Sequence, residues 1–356
     1  MTETDMREDA KEKSASAMAF RPDWLSLTQE EAIDPERPII DPHFHFFEES
    51  EVFPHYRLTN LQSDTRAHNV TQTVFVQCEE ALRKEGPDHL KPVGETEWID
   101  RQASVAKEAG PGSVRIGGIV GAARLSLGTL AGETLDAHLE ASGLFRGIRD
   151  MGIWDADPAI ARVEDATGPD LYGEKTFREG FAEVAKRGLS FDAHQYHPQL
   201  PSVASLARAF PDTTIVLDHM GSPLAEGRFA GKREEAFVEW RRLMADVATC
   251  PNVVLKLGGM AMPWNGFEWE REPAPPSSDR FVETYARYYH FAIEQFSPAR
   301  CMFESNFPVD RLSLSYTVLW NAFKKLAAGY SESEQEDMLF GTSARTYRLD
   351  VGPQLD

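Results

Sequence analysis

From residue 38 onward, short runs of apolar and β-branched residues alternate with longer stretches in which apolar positions recur at helical spacing. The runs at 39–45, 73–79, 114–120, 145–151, 189–195, 214–219, 253–257 and 301–305 read as strands. They are apolar on both faces, as strands covered on two sides are. Residues 176–187, 202–210, 234–248 and 279–296 read as helices; in the third, Ala236, Phe237, Trp240, Leu243 and Met244 share one face. Eight strand-then-helix units over about 320 residues predict an α/β fold, a distorted parallel (β/α)8 TIM barrel. A doubly wound open sheet is the rival, but no G-x-G-x-x-G follows an early strand.

The pattern also divides the chain. Residues 1–36 read as a mobile N-terminal arm running into an irregular collar, and residues 37–350 as the barrel. The arm is polar and almost low-complexity at residues 11–17, whereas Trp24, Leu25 and Leu27 are too apolar for a free tail. Two connections are too long to be plain turns: 154–173 after strand four, and 261–278, rich in Pro and Trp, after strand seven. Both lie on the strand-to-helix side, where barrel enzymes build their sites. Ser331 and Glu334 fit a capping box, and the helix they open, running to Tyr347, is expected to pack outside the barrel.

Composition narrows the setting. With 42% hydrophobic residues a large core can form, and no apolar run approaches the roughly 20 residues of a membrane helix. The formal net charge of −20 repels nucleic acid and anionic membranes, which excludes both as partners. Cys78, Cys250 and Cys301 are far apart and odd in number, which argues against a disulfide framework. Residues 1–19 lack an apolar signal core, so a cytoplasmic location is expected. The expected partner is a small-molecule substrate, anionic in one reading, with a homo-oligomer left open.

Chemistry collects at the strand ends. In Asp41-Pro42-His43-Phe44-His45 the two imidazoles are two residues apart, so in extended backbone both point the same way and form half of a metal site. Strand four ends in Arg149-Asp150, and strand five carries His194, with His197 beyond it as a loop or capping residue. Strand six runs into Asp218-His219-Met220-Gly221-Ser222-Pro223. Strand seven embeds Lys256 among apolar neighbours, and strand eight places Glu304 and Asn306 on one face. Arg149 and Lys256 are candidates to hold a substrate carboxylate; internal pairing with Asp150 and Glu304 is the alternative. Burying this much polarity is costly unless it serves a purpose.

Four strings (Asp41-Pro-His43-Phe-His45, Gly147-Ile148-Arg149, Asp218-His219-Met220-Gly221-Ser222-Pro223 and 302–310) together resemble the amidohydrolase superfamily, in its lactonase branch of 2-pyrone-4,6-dicarboxylate lactonase and sugar-lactone hydrolases. The resemblance implies a hydrolase that opens a lactone of a small carboxylated or polyhydroxylated metabolite. His43, His45 and His194 would hold a divalent metal such as Zn²⁺, and His219 would orient or polarise the substrate; the family also includes members that need no metal. The superfamily carries Asp where this chain has Asn306, and an amide cannot act as a base near neutral pH. Glu304 could replace it, a histidine could, or the reaction needs no such base; Asn306→Asp would be expected to tighten metal binding. A non-oxidative decarboxylase and a non-catalytic ligand-binding barrel are the alternatives.

Overall fold

The computed structural model describes residues 21–48, 55–110, 112–158, 160, 168–262, 265 and 267–352, so the N-terminal arm lies outside the described residues. Eight parallel strands are hydrogen-bonded in sequence order: β1 (Ile39–Phe44), β2 (Val70–Val76), β3 (Arg115–Ala122), β4 (Phe145–Arg149), β5 (Ser190–Ala193), β6 (Ile215–Leu217), β7 (Val253–Leu257) and β8 (Cys301–Phe303). Helices Leu58–Thr65 (α1), Val93–Glu108 (α2), Ala131–Ala141 (α3), Lys175–Lys186 (α4), Leu200–Ala209 (α5), Arg233–Ala248 (α6), Ser278–Phe296 (α7) and Tyr316–Ala327 (α8) return the chain between strands and after the last. This is the predicted (β/α)8 barrel. β2 begins three residues earlier than its apolar run, because Thr71 and Gln72 find partners: Thr71 Oγ1 donates to Ile39 O and Gln72 Nε2 to Asp350 O.

Between β8 and β1 the ladder reduces to one bridge, Phe44 with Phe307, flanked by His45 N to Phe307 O at 2.8 Å and Asn306 N to His43 O at 3.0 Å. Buried Asp41 reinforces the seam from the side. Its carboxylate accepts Ser305 N–H at 2.9 Å and the Tyr316 hydroxyl at 3.0 Å, tying β1 to β8 and α8. Burial lifts the Asp41 pKa to about 6 in spite of these donors.

The core has two layers, as strands apolar on both faces require. Outside the strands, a continuous cluster links Phe44, Phe75, Ile119, Phe191 and Leu255 to the helices. Inside, Ile40, Val74, Val76, Val120, Val216 and Met302 fill the barrel with Tyr347 and Leu349. Tyr347 corrects an expectation. The C-terminal helical pieces (Glu332–Glu336, Asp337–Gly341 and Thr342–Thr346) open on the Ser331/Glu334 capping box, but they deliver Tyr347 into the barrel rather than outside it. Its hydroxyl finds a carboxylate there, donating to Asp192 Oδ2 at 2.8 Å, which pattern analysis of the helix alone could not register.

Residues 21–34 are stitched to the segment after β7. Trp24 Nε1 donates to Glu272 O at 2.8 Å and Thr28 Oγ1 to Pro275 O at 2.8 Å. Glu30 accepts from Ser278 N–H, Ser278 Oγ and Asn321 Nδ2 at 2.8, 2.6 and 2.9 Å. A hydrogen bond to a charged group is worth about 1.5–3 kcal/mol. Glu30→Ala is therefore expected to lower the melting temperature and to speed proteolysis within residues 267–278, which limited digestion followed by mass spectrometry will check.

Candidate active site

β1 has a register shift between Asp41 and Phe44, and beyond it His43 and His45 both turn inward. Their Nε2 atoms stand 3.0 Å apart. His45 Nδ1 lies 2.7 Å from Val76 O, a carbonyl that only accepts, so the proton sits on Nδ1 and Nε2 is the acceptor. His43 Nδ1 lies 2.7 Å from Glu304 Oε2 and 3.2 Å from the Lys256 ammonium. Burial, with Lys256 and Arg149 nearby, holds both imidazoles well below the ordinary histidine pKa and so favours their neutral forms. Arg149 Nη1 approaches His43 Nε2 to 3.4 Å.

Glu304 organises the opposite wall. Its Oε1 accepts both the backbone N–H of His219 at 3.1 Å and His219 Nδ1–H at 2.7 Å. One carboxylate oxygen can meet both groups because the backbone here is left-handed: φ is 53° at His219, 53° at Met220 and 44° at Ser222, with Gly221 between at 66°. Each non-glycine residue in that conformation costs roughly 1–2 kcal/mol, and strain of this kind gathers at functional sites. The turn leaves His219 Nε2 without a hydrogen-bond partner among the described residues. His194, at the end of β5, packs edge-on to His219 with ring centroids 4.7 Å apart. It is buried with neither ring nitrogen hydrogen-bonded, and burial depresses its pKa strongly.

Below the histidines lies a lattice of buried charge. Lys256 Nζ contacts Asp192 Oδ2 at 2.6 Å, Asp218 Oδ1 at 3.0 Å and His43 Nδ1 at 3.2 Å. Arg149 reaches Asp218 Oδ2 at 3.4 Å and donates to Gln77 O at 2.6 Å. Burial pulls the Lys256 pKa down, but Asp192, Asp218 and Glu304 outweigh it and hold the ammonium above the ordinary lysine value. Burial pushes Asp218 up, and Lys256, His219 and Arg149 reverse the balance and hold it low; Asp192 is pushed up to about 6 by burial against Lys256. Both basic residues thus face internal carboxylates, Asp218 for Arg149 and Asp192 with Asp218 for Lys256. Asp192 is legible in the sequence, lying two residues before His194 on the same strand face. Tyr347 carried no local signal.

Asn306 does not stand over Glu304 as a bare amide: its Nδ2 donates to Asp310 Oδ1 at 2.9 Å. His197 lies away from the cluster, its Nδ1 accepting Leu224 N–H at 3.1 Å, in keeping with the capping role its position suggested. Two glycines complete the site. A Cβ on Gly258 would come within 2.3 Å of Glu304 Cγ, and one on Gly259, whose φ is 65°, within 2.5 Å of His219 Nδ1.

His43, His219 and Glu304 bring a ligand-type atom each within 4.8 Å of one another, a grouping able to hold a metal ion. The facing Nε2 atoms of His43 and His45 and the ring nitrogens of His194, unpartnered among the described residues, also suit a divalent cation. Imidazoles and a carboxylate at the C-terminal ends of barrel strands stand where enzymes of this fold build their active sites. The chain belongs to the amidohydrolase family, whose pattern matches residues 40–349. It is 32% identical to an uncharacterized protein, y4mH, of Sinorhizobium fredii, over 87% of this chain and 98% of that one. It is 30% identical to an L-fucono-1,5-lactonase of Burkholderia multivorans, over 57% of this chain and 63% of the lactonase. A crystal structure of a Burkholderia multivorans amidohydrolase with bound zinc has the same fold, with a TM-score of 0.69 at 23% identity, covering 88% of this chain and all of that one.

Two outcomes follow from this packing. Gly259→Ala is expected to displace the His219 ring, abolishing turnover and lowering the melting temperature, whereas Gly329→Ala, where a Cβ meets nothing within 4 Å, should leave turnover intact. Glu95, on α2, accepts N–H from Cys78 and Glu80 behind the end of β2, and burial lifts its pKa to about 7. A raised folded-state pKa means stability that is present below the ordinary value of 4.5 and lost as pH climbs through about 7. Glu95→Gln should therefore gain stability relative to the wild type between those two pH values, measured by denaturant titration across the range.

Proposed function

We propose that the enzyme is a lactonase that opens the ring ester of a small polyhydroxylated metabolite. The observation that carries this reading is the grip of Glu304 on His219. With Nδ1 protonated and bound, His219 Nε2 is left as a proton acceptor at the mouth, the geometry of a general base oriented by a carboxylate. Of the three ways to manage without a strand-eight aspartate, this is the histidine route, with Glu304 as the orienting group: its Oε1 holds the His219 ring and backbone N–H.

In the reaction, His219 Nε2 takes a proton from the attacking water as the water oxygen bonds to the lactone carbonyl carbon. The tetrahedral oxyanion forms beside His43 and His45, near the Arg149 guanidinium, in a water-poor site where such charges act strongly. When the ring C–O bond breaks, His219 returns the proton to the leaving alkoxide, giving the hydroxy acid. A divalent metal held by His43, His45 and His194 would polarise the carbonyl. The resident cations argue for a neutral, hydroxyl-rich substrate over a carboxylated one, because Arg149 and Lys256 already face Asp218 and Asp192. The lactonase named among the relatives supports the same choice.

The test is turnover on a panel of neutral aldonolactones and of lactones bearing a free carboxylate, with elemental analysis of protein purified without added metal. Neutral lactones are expected to be opened faster. His219→Ala should cost about 10²–10⁴-fold in rate, the range for a general base. His43→Ala and His45→Ala should each lower metal content while the fold remains. Turnover confined to the carboxylated lactones would overturn the substrate assignment, and full activity in His219→Ala would overturn the mechanism.

A further inference from the structure

Asn306 sits where its superfamily resemblance leads one to expect an acid, but four residues on the chain carries one. Asp310 is fully buried, and each of its carboxylate oxygens has a donor: Oδ1 takes Asn306 Nδ2 at 2.9 Å and Oδ2 takes Ala261 N–H at 3.2 Å. The backbone fixes this pairing. Asn306 has φ 53°, a left-handed conformation that asparagine tolerates better than most residues, and Asp310 N–H closes back onto Asn306 O at 3.1 Å. The Ala261 peptide is held on its other side by Ser313 Oγ, which donates to its carbonyl at 2.6 Å.

A carboxylate that accepts from an amide must face its NH₂ and not its oxygen. Asp310 therefore decides which way round the Asn306 amide sits. The amide oxygen, on the side away from Asp310, has no hydrogen-bond partner among the described residues.

We infer that Asp310 is a positioning residue: it fixes the Asn306 amide so that a neutral carbonyl oxygen, not an NH₂ and not a negative charge, faces the cavity beside Glu304. Asn306 and Asp310 form a matched amide–carboxylate pair, with the charge held one turn behind the site. In this arrangement Asn306→Asp does not restore a lost acid. It sets two carboxylates at hydrogen-bond distance, and like charges that close repel. Exchanging the two residues keeps both hydrogen bonds, since Asn at 310 can donate to Asp at 306 and still accept from Ala261 N–H.

The kinetic part of the test rests on the lactonase reading; the stability part does not, so the two can fail separately. Four proteins are compared above the Asp310 pKa, which burial lifts to about 7, so that its carboxylate is ionised: wild type, Asn306→Asp, Asp310→Asn and the exchanged double variant. Asp310→Asn should lose about 10–100-fold in kcat, the range for groups that orient catalytic residues, with little change in KM. Asn306→Asp should melt a few degrees lower than wild type. The double variant should regain the melting temperature but not kcat, because a charged oxygen then faces the cavity. Asn306→Asp as stable as wild type, or a double variant no better than the sum of its parts, would overturn the pairing. If Asp310→Asn lowers stability while leaving kcat unchanged, Asp310 only pins the Ala261 peptide and the positioning role is wrong.

Discussion

A carboxylate with no access to water survives inside a protein only if donors surround it. Glu304 meets that condition at one oxygen, with the backbone N–H and ring N–H of His219. Much of the site follows from this one requirement. The need for two His219 donors at one oxygen demands the left-handed turn, the turn demands a residue without a side chain at 259, and the bulk of Glu304 demands another at 258. The same carboxylate sets the tautomer of the His219 imidazole. A group that assigns a proton to its neighbour need not exchange one itself.

The ionic lattice beneath has a similar economy. Asp192, Asp218 and Glu304 are set against Lys256 and Arg149, so positive and negative charges nearly balance before any ligand arrives. Removing one member of a buried pair costs on the order of 3–5 kcal/mol by stranding its partner. Such an arrangement resists drift: Lys256 is held by two carboxylates and Asp218 by two cations, and the histidines inherit that rigidity. Lys256 touches His43 directly and Arg149 approaches it from the other side.

The barrel was readable because each strand is apolar on both faces and each is followed by a helix-length segment. The strand-end histidines and Glu304 were readable for the converse reason, as polar residues where the apolar runs stop. What escaped was of another kind. Lys256 faces Asp192, 64 positions earlier, and Asp192 in turn meets Tyr347, 155 positions later. Nothing local distinguishes these residues from others of their type. Gly258 and Gly259 looked like the end of a strand, because the side chains they make room for lie on β6 and β8. Asn306 was legible as a departure from a pattern, but the residue that gives it meaning was visible only once the turn from 306 to 310 had closed. Pattern reports what a segment does with its own neighbours; a buried site is made of contacts between segments.

Tyr347 also bears on how the molecule is made. Its hydroxyl satisfies Asp192, and its ring lies 5.6 Å from the Lys256 ammonium, yet it belongs to the segment that follows all eight strands. On a ribosome the strands, the histidines and both cations emerge before the residue that seals the barrel from below. Until that tyrosine arrives, Asp192 lacks one of its donors. The site's charge lattice is thus completed from beyond the eight strands, so a change at Tyr347 reaches His43 through Asp192 and Lys256 without touching the site itself.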